Sequence, residues 1–214
     1  MSTIDDLGLS YRFEGPEFRS TPATLLLLHD AAGDESQLWT LGRQVWKDAA
    51  LLAPRAHDVG RRNIGKSSKG EIDGEDVRVR AEKLAEFIEK ASLRHDFQFK
   101  HLVAIGYSSG ATIAASLILL HPHHLGAAIL LRPRLPFTPE IIRNFTALSI
   151  LISAARHDDV VGRDEVEQLA AIFESGGAEV SILWQQDGHE LNSSDIDAAK
   201  AWLSEERIQK HLAA

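Results

Sequence analysis

Six short apolar runs recur along this chain: Ala23–Leu28 (ATLLLL), Ala49–Ala53 (AALLA), Leu102–Tyr107 (LVAIGY), Gly126–Leu131 (GAAILL), Leu148–Ser153 (LSILIS) and Glu179–Trp184 (EVSILW). A strand with one wet face alternates apolar and polar residues. These runs are apolar almost throughout, as strands covered on both faces are. The stretches between them carry helical periodicity. Val77–Ala91 places Val77, Leu84, Phe87, Ile88 and Ala91 on one stripe, with Asp76 positioned to cap the first turn. Ala111–Leu120 is apolar all round and predicts a buried helix. Asp164–Glu174 gathers Val166, Leu169, Ala170 and Phe173 and stops at Gly176 and Gly177, and a last helix is expected over Ser194–Leu212. Trp39, Trp46, Trp184 and Trp202 fall on apolar faces and are expected in the core. Strand runs alternating with helical stretches produce parallel βαβ units, so the expected fold is α/β. A mostly parallel central sheet would carry helices on both faces, in a single domain over residues 1–214.

Composition narrows the function. A net charge of −8 opposes general nucleic-acid binding, which rests on clustered Lys and Arg. The chain has no Cys, which removes thiol nucleophiles and Cys-based metal sites. The N-terminus MSTIDDLGLS has no signal-peptide pattern, and no apolar run is long enough to span a bilayer. A cytoplasmic protein is expected. The acidic excess reads as solvated surface, and His121, His123 and His124 as the end of the buried helix rather than a metal site.

Two sequence motifs compete. Gly60–Ser67 (GRRNIGKS) fits the phosphate-binding pattern G-x-x-x-x-G-K-[ST]. Such a loop must run directly into a helix whose first N–H groups hold phosphate. Ser68–Asp76 (SKGEIDGED) follows instead, with two glycines and four acids, so a charged loop is the better reading and a nucleotide hydrolase the weaker one. Gly106–Gly110 (GYSSG) fits the nucleophile elbow G-x-S-x-G, and its setting is right. A strand precedes it and a small-residue helix follows, so Ser108 falls on the strand-to-helix turn.

A nucleophilic Ser needs a base to take its proton and a carboxylate to orient that base. LSILIS leads into Ala154–Gly162 (AARHDDVVG), which carries Asp158 and Asp159, and EVSILW leads into Gln185–Leu191 (QQDGHEL), which carries His189. Both segments follow strands and share the carboxyl edge of a parallel sheet with Ser108.

With LLLLHDAAGDE (Leu25–Glu35), GYSSG, HDDVV and DGHEL in view, the chain resembles the α/β-hydrolase superfamily, and within it the small phospholipase/carboxylesterase family. The resemblance covers most of the chain from Ala23 onward and implies an α/β-hydrolase fold. It implies Ser108 as nucleophile, His189 as base and Asp158, two residues before the Val-Val pair, as orienting acid. The oxyanion hole would be the backbone N–H groups of Ala31 and Ser109. Asp30 and Ala32 stand where the family pattern has glycines, and a carboxylate at position 30 aimed into the site would oppose a developing oxyanion. His29 reads as a brace for that loop.

The expected activity is hydrolysis of a small soluble carboxylic ester or thioester through an acyl-enzyme, needing no cofactor or metal. Because imidazole must be neutral to act as base, activity is expected to rise with pH through the neutral range. Between the runs GAAILL and LSILIS only Arg132–Ala147 intervenes, too little for a large cap domain, and the Pro-rich start RPRLPFTP (Arg132–Pro139) predicts a loop or short lid. Arg132 and Arg134 in that loop, and Arg61 and Arg62 after AALLA, are candidate contacts to an anionic substrate group. A non-catalytic binding protein of the same fold is the alternative, on account of Asp30 and Ala32, and a homodimer is compatible with the sequence.

Overall fold

The computed structural model describes residues 4–5, 7–16, 23–55 and 72–213. Its frame is an eight-stranded sheet of β1 (Ile4–Asp5), β2 (Ser10–Glu14), β3 (Thr24–Leu28), β4 (Ala50–Pro54), β5 (Leu102–Tyr107), β6 (Ala127–Leu131), β7 (Ser149–Ala155) and β8 (Glu179–Gln185). Their order is β1-β2-β4-β3-β5-β6-β7-β8, parallel from β4 onward, with β1 and β2 antiparallel at one edge. All six sequence-predicted strands are present within two residues of the expected ends.

The helices are α1 (Trp39–Val45), α2 (Gly74–His95), α3 (Ser109–Leu120), α4 (Arg163–Ser175), α5 (Ser193–Leu203) and α6 (Glu206–Ala213). They divide between the two faces. Leu26, Leu28, Ala104, Ala128 and Leu130 point to one side, where α2, α3 and α4 supply Phe87, Ile88, Leu117 and Phe173. Their neighbours Leu25, Leu27, Val103, Ile105 and Ile129 point to the other, against Leu41 of α1, Trp202 of α5 and Ile208 of α6. Two buried faces explain the unbroken apolar runs. Each fully buried Leu or Ile contributes about 1.5–3 kcal/mol against exposure, so the central strands are the stable part of the molecule.

Three local readings need correction. The N-cap of α2 is Asp73, not Asp76: its carboxylate accepts from the N–H groups of Glu75 and Asp76. Asp76 lies one turn inside and pairs with the buried Arg80 at 2.7 Å. The last helix is two helices, broken at Ser204, whose N–H turns back onto the carbonyls of Lys200, Ala201 and Trp202. Of the tryptophans only Trp202 is fully buried; Trp39, Trp46 and Trp184 are partly buried against the two cores. His121 and His124 do sit just past the end of α3, and they reach acidic partners on α2: Glu82 at 2.8 Å and Glu89 at 3.1 Å. Among the described residues no group of three or more His, Asp or Glu side chains could hold a metal ion, and no helix is long and apolar enough to cross a membrane.

Candidate active site

The carboxyl ends of β3, β5, β7 and β8 bring the predicted residues together. Ser108, between β5 and α3, has φ +52° and ψ −114°, a left-handed backbone that costs a non-glycine residue about 1–3 kcal/mol. Its N–H is tied to the Leu131 carbonyl at the end of β6 (2.8 Å), and its carbonyl accepts from the N–H and hydroxyl of Thr112 at 3.0 and 3.1 Å. The flanking glycines are there for space. A Cβ on Gly110 would lie 2.0 Å from the Leu28 carbonyl oxygen, and one on Gly106 would lie 2.7 Å from the backbone of Ala111.

Ser108 Oγ lies 2.9 Å from His189 Nε2. His189 Nδ1 lies 2.9 and 3.0 Å from the two carboxylate oxygens of Asp158. The Asp158 side chain is 2% exposed, and its Oδ1 also accepts from the N–H groups of Val160 (2.8 Å) and Val161 (2.9 Å). Three donors converge on this carboxylate and hold it in place. Asp159 is exposed and takes no part. The loops carrying Asp158 and His189 are laced by backbone bonds from Arg156 N–H to Gln185 O (2.9 Å) and from His157 N–H to Asp187 O (3.2 Å).

Ala31 and Ser109 both line the cavity beside Ser108, and among the described residues their backbone N–H groups have no acceptor. Asp30 also reaches this cavity, yet its Oδ1 accepts from the N–H groups of Ala32 (2.9 Å) and Gly33 (2.6 Å), closing a tight turn. The carboxylate thus does, by hydrogen bonding, the turn-forming work that a glycine does by freedom. His29 is buried, with Nδ1 2.6 Å from the Asp30 carbonyl, in keeping with its expected bracing role.

The arginine expectations fare differently. Arg132 is not at the surface: it is fully buried and forms a two-pronged ion pair with the equally buried Asp195, at 2.8 and 3.0 Å. It cannot meet a substrate. Arg134 does line the cavity, but Glu165 holds its guanidinium at 3.1 Å and offsets its charge. Arg61 and Arg62, with all of GRRNIGKS, lie outside the described residues.

Sequence reading missed Tyr107, Thr112 and Glu165. Tyr107 borders the cavity with its hydroxyl 3.4 Å from the His189 carbonyl. Burial pushes its phenol above the ordinary value, and the Asp30 charge adds to the push, so it remains a neutral donor. Its neighbour in GYSSG gave the only clue. The cavity has a volume of about 420 Å³, with Ile72, Val77 and Val160 as its apolar walls.

A strand-turn-helix Ser at the edge of a mostly parallel sheet, with Asp and His from later strands, defines the α/β-hydrolase class. Comparison with known proteins narrows this. The family model "Dienelactone hydrolase family" matches residues 62–208, and the chain belongs to that family. The Bacillus subtilis (strain 168) protein named "Putative hydrolase MhqD" is 35% identical over 184 residues, covering 85% of this chain and 92% of its own. Among solved structures, the Bacillus cereus carboxylesterase is 31% identical with a TM-score of 0.85, covering 95% of this chain and 94% of that one. A Mesorhizobium loti carboxylesterase is 29% identical with a TM-score of 0.86, covering 95% and 98%. The chain is a carboxylesterase-like hydrolase without a large cap.

Proposed function

We propose that the protein hydrolyses small carboxylic esters or thioesters through an acyl-enzyme on Ser108. The observation that carries this reading is the unbroken chain from Ser108 Oγ through the His189 ring to the Asp158 carboxylate, with links of 2.9 Å each. As Oγ attacks the carbonyl carbon, His189 Nε2 takes its proton, and Asp158 fixes the ring through Nδ1–H and stabilises the imidazolium. The oxyanion meets the N–H groups of Ala31 and Ser109. When the tetrahedral intermediate collapses, His189 returns the proton to the departing alkoxide or thiolate. Water then attacks the acyl group by the same route and frees the acid.

The family name and the neighbours support this chemistry, since a lactone is an ester closed into a ring. The turn that engages Asp30 removes the main ground for a non-catalytic binding protein. At about 420 Å³ the cavity stands at the small end of ligand pockets, which suits short acyl and alcohol groups.

The test is a pre-steady-state burst with p-nitrophenyl acetate, with mass spectrometry of the quenched protein. One nitrophenolate per chain and one acetyl group on the Ser108 peptide are expected; a burst-free, unacylated protein would refute the mechanism. Asp158→Asn should lower kcat about 10²–10⁴-fold by leaving His189 in the wrong tautomer, whereas Asp159→Asn should leave kcat within about twofold. Equal losses in the two variants would sink the assignment of the acid.

Charge selectivity tests the Arg134 contact separately. Glu165→Gln removes the countercharge and keeps an acceptor for the Leu135 N–H, which now lies 3.0 Å from Glu165. The kcat/KM ratio of a succinate half-ester to its neutral methyl ester should rise about 2- to 5-fold, the scale of a partly exposed ion pair. An unchanged ratio would remove Arg134 from substrate selection.

A further inference from the structure

We infer that the buried Arg132–Asp195 pair is a positioning device that sets the height of His189 over Ser108. This rests on the triad reading above. Arg132 is a fully buried cation with φ +56°, directly after the strand that holds the Ser108 N–H. Desolvation makes buried ion pairs poor stabilisers, and replacing one with apolar residues of similar volume is often neutral or better for stability. Stability alone is therefore a weak reason for this arrangement.

Its geometry supplies another. Arg132 Nε donates to the carbonyl of Gly188, the residue before His189, at 3.1 Å. Its two terminal nitrogens grip Asp195 Oδ1 and Oδ2, and one also reaches the carbonyl and hydroxyl of Ser153 on β7, at 3.2 and 3.3 Å. Asp195 in turn accepts from the Ser153 hydroxyl (2.7 Å) and from the Asn192 N–H (3.1 Å), the bond that starts α5. The His189 loop, residues 186–192, is thus held near both ends: Gly188 by the guanidinium and Asn192 by the carboxylate. On the other side, Leu131 next to Arg132 holds the Ser108 N–H at 2.8 Å. One residue pair fixes base and nucleophile to a common reference. A planar fork of donors suits this work; a lysine ammonium cannot hold both oxygens of Asp195 and the Gly188 carbonyl in one plane.

The experiment compares the apolar double variant Arg132→Met/Asp195→Leu and the single variant Arg132→Lys with the parent and Ser108→Ala. Readouts are thermal unfolding, kcat and KM for p-nitrophenyl butyrate, and the rate of fluorophosphonate labelling. Variants that melt with the parent should lose about 10- to 100-fold in kcat and in labelling rate, the scale of a roughly 1 Å misplacement, while KM stays within about twofold. A merely structural role would lower the melting temperature and leave kcat of the folded fraction intact. Should the double variant not fold, Arg132→Lys decides alone. A folded variant with the parent's kcat overturns the positioning role while Ser108→Ala remains inactive. If Ser108→Ala keeps its activity, the triad reading itself falls, and this inference with it.

Discussion

Replacing Ser108 with Ala is expected to lower kcat about 10⁴-fold or more and to abolish fluorophosphonate labelling, because nucleophile and base act as one unit. The loss should be purely chemical. Among the described residues Ser108 Oγ makes one hydrogen bond, to His189 Nε2, and typical bonds of this kind contribute about 0.5–1.5 kcal/mol to stability. The left-handed backbone strain is common to Ser and Ala. The variant should therefore melt within a few degrees of the parent, giving a folded, ligand-competent, inactive protein. Nitrophenyl esters also react with surface imidazoles and amines, so the acylated Ser108 peptide and the labelling rate are what separate that background from chemistry at Ser108. Residual turnover above about 1% of the parent would remove Ser108 from the chemistry, since loss of a triad member leaves far less.

Gly110→Ala has the second largest expected effect, and helix propensity predicts its sign wrongly. At an exposed helix position Ala is favoured over Gly by about 1 kcal/mol. Here the added Cβ would lie 2.0 Å from the Leu28 carbonyl oxygen and 2.6 Å from that of His29. Neither can yield: Leu28 ends a strand hydrogen-bonded to β4 on one side and β5 on the other. The first turn of α3 must move instead, and it carries the Ser108 elbow and the Ser109 N–H. Destabilisation of at least about 3 kcal/mol is expected, the upper range for overpacking, which for a chain of this size lowers the melting temperature by roughly 6–12 °C. Activity should fall further than the folded fraction does. A melting temperature equal to the parent's would show that β3 and α3 do not approach as closely as the structure has them.

The sequence carried the parts of this molecule that are buried on two sides. β3 to β7 are buried throughout, and double burial leaves an apolar run that cannot be mistaken for a loop; β8, at the sheet edge, is only partly buried. The antiparallel strand β2 (SYRFE) buries only Tyr11 fully and left no such run, and β1 is two residues long. Helix α1 is short, has Leu38 at its N-cap with no side-chain cap bond and contains Gly42, so neither propensity nor capping announced it. The candidate site was legible for a different reason. Ser108, Asp158 and His189 each stand a few residues past a recognisable strand, and a parallel sheet brings all such positions to one edge. Arg132 stands in the same kind of position and was misread as a surface contact. The sign of a buried arginine is its partner, and Asp195 is 63 residues away in a helix that looked ordinary. The capping box of α5, in which Asn192 and Asp195 satisfy each other's backbone, was the readable fragment of that network.

The strand order has a consequence for how a chain of this kind can change over generations. His189 leaves from β8 and meets Ser108 at the end of β5, three strands and about 14 Å away. Residues 186–192 must therefore arch back across β7 and β6 on a path tied down at Gly188 and Asn192, and a single inserted or deleted residue there would lift the imidazole off its target. The link between β6 and β7 has the opposite character. Residues 140–144 are exposed throughout and lie beside Leu119, Leu120 and His121 at the end of α3 away from Ser108. Added chain can accumulate at that point while the Ser108, Asp158 and His189 side chains keep their places. Growth by insertion is thus open to this scaffold at a position where the cost to the chemistry is least.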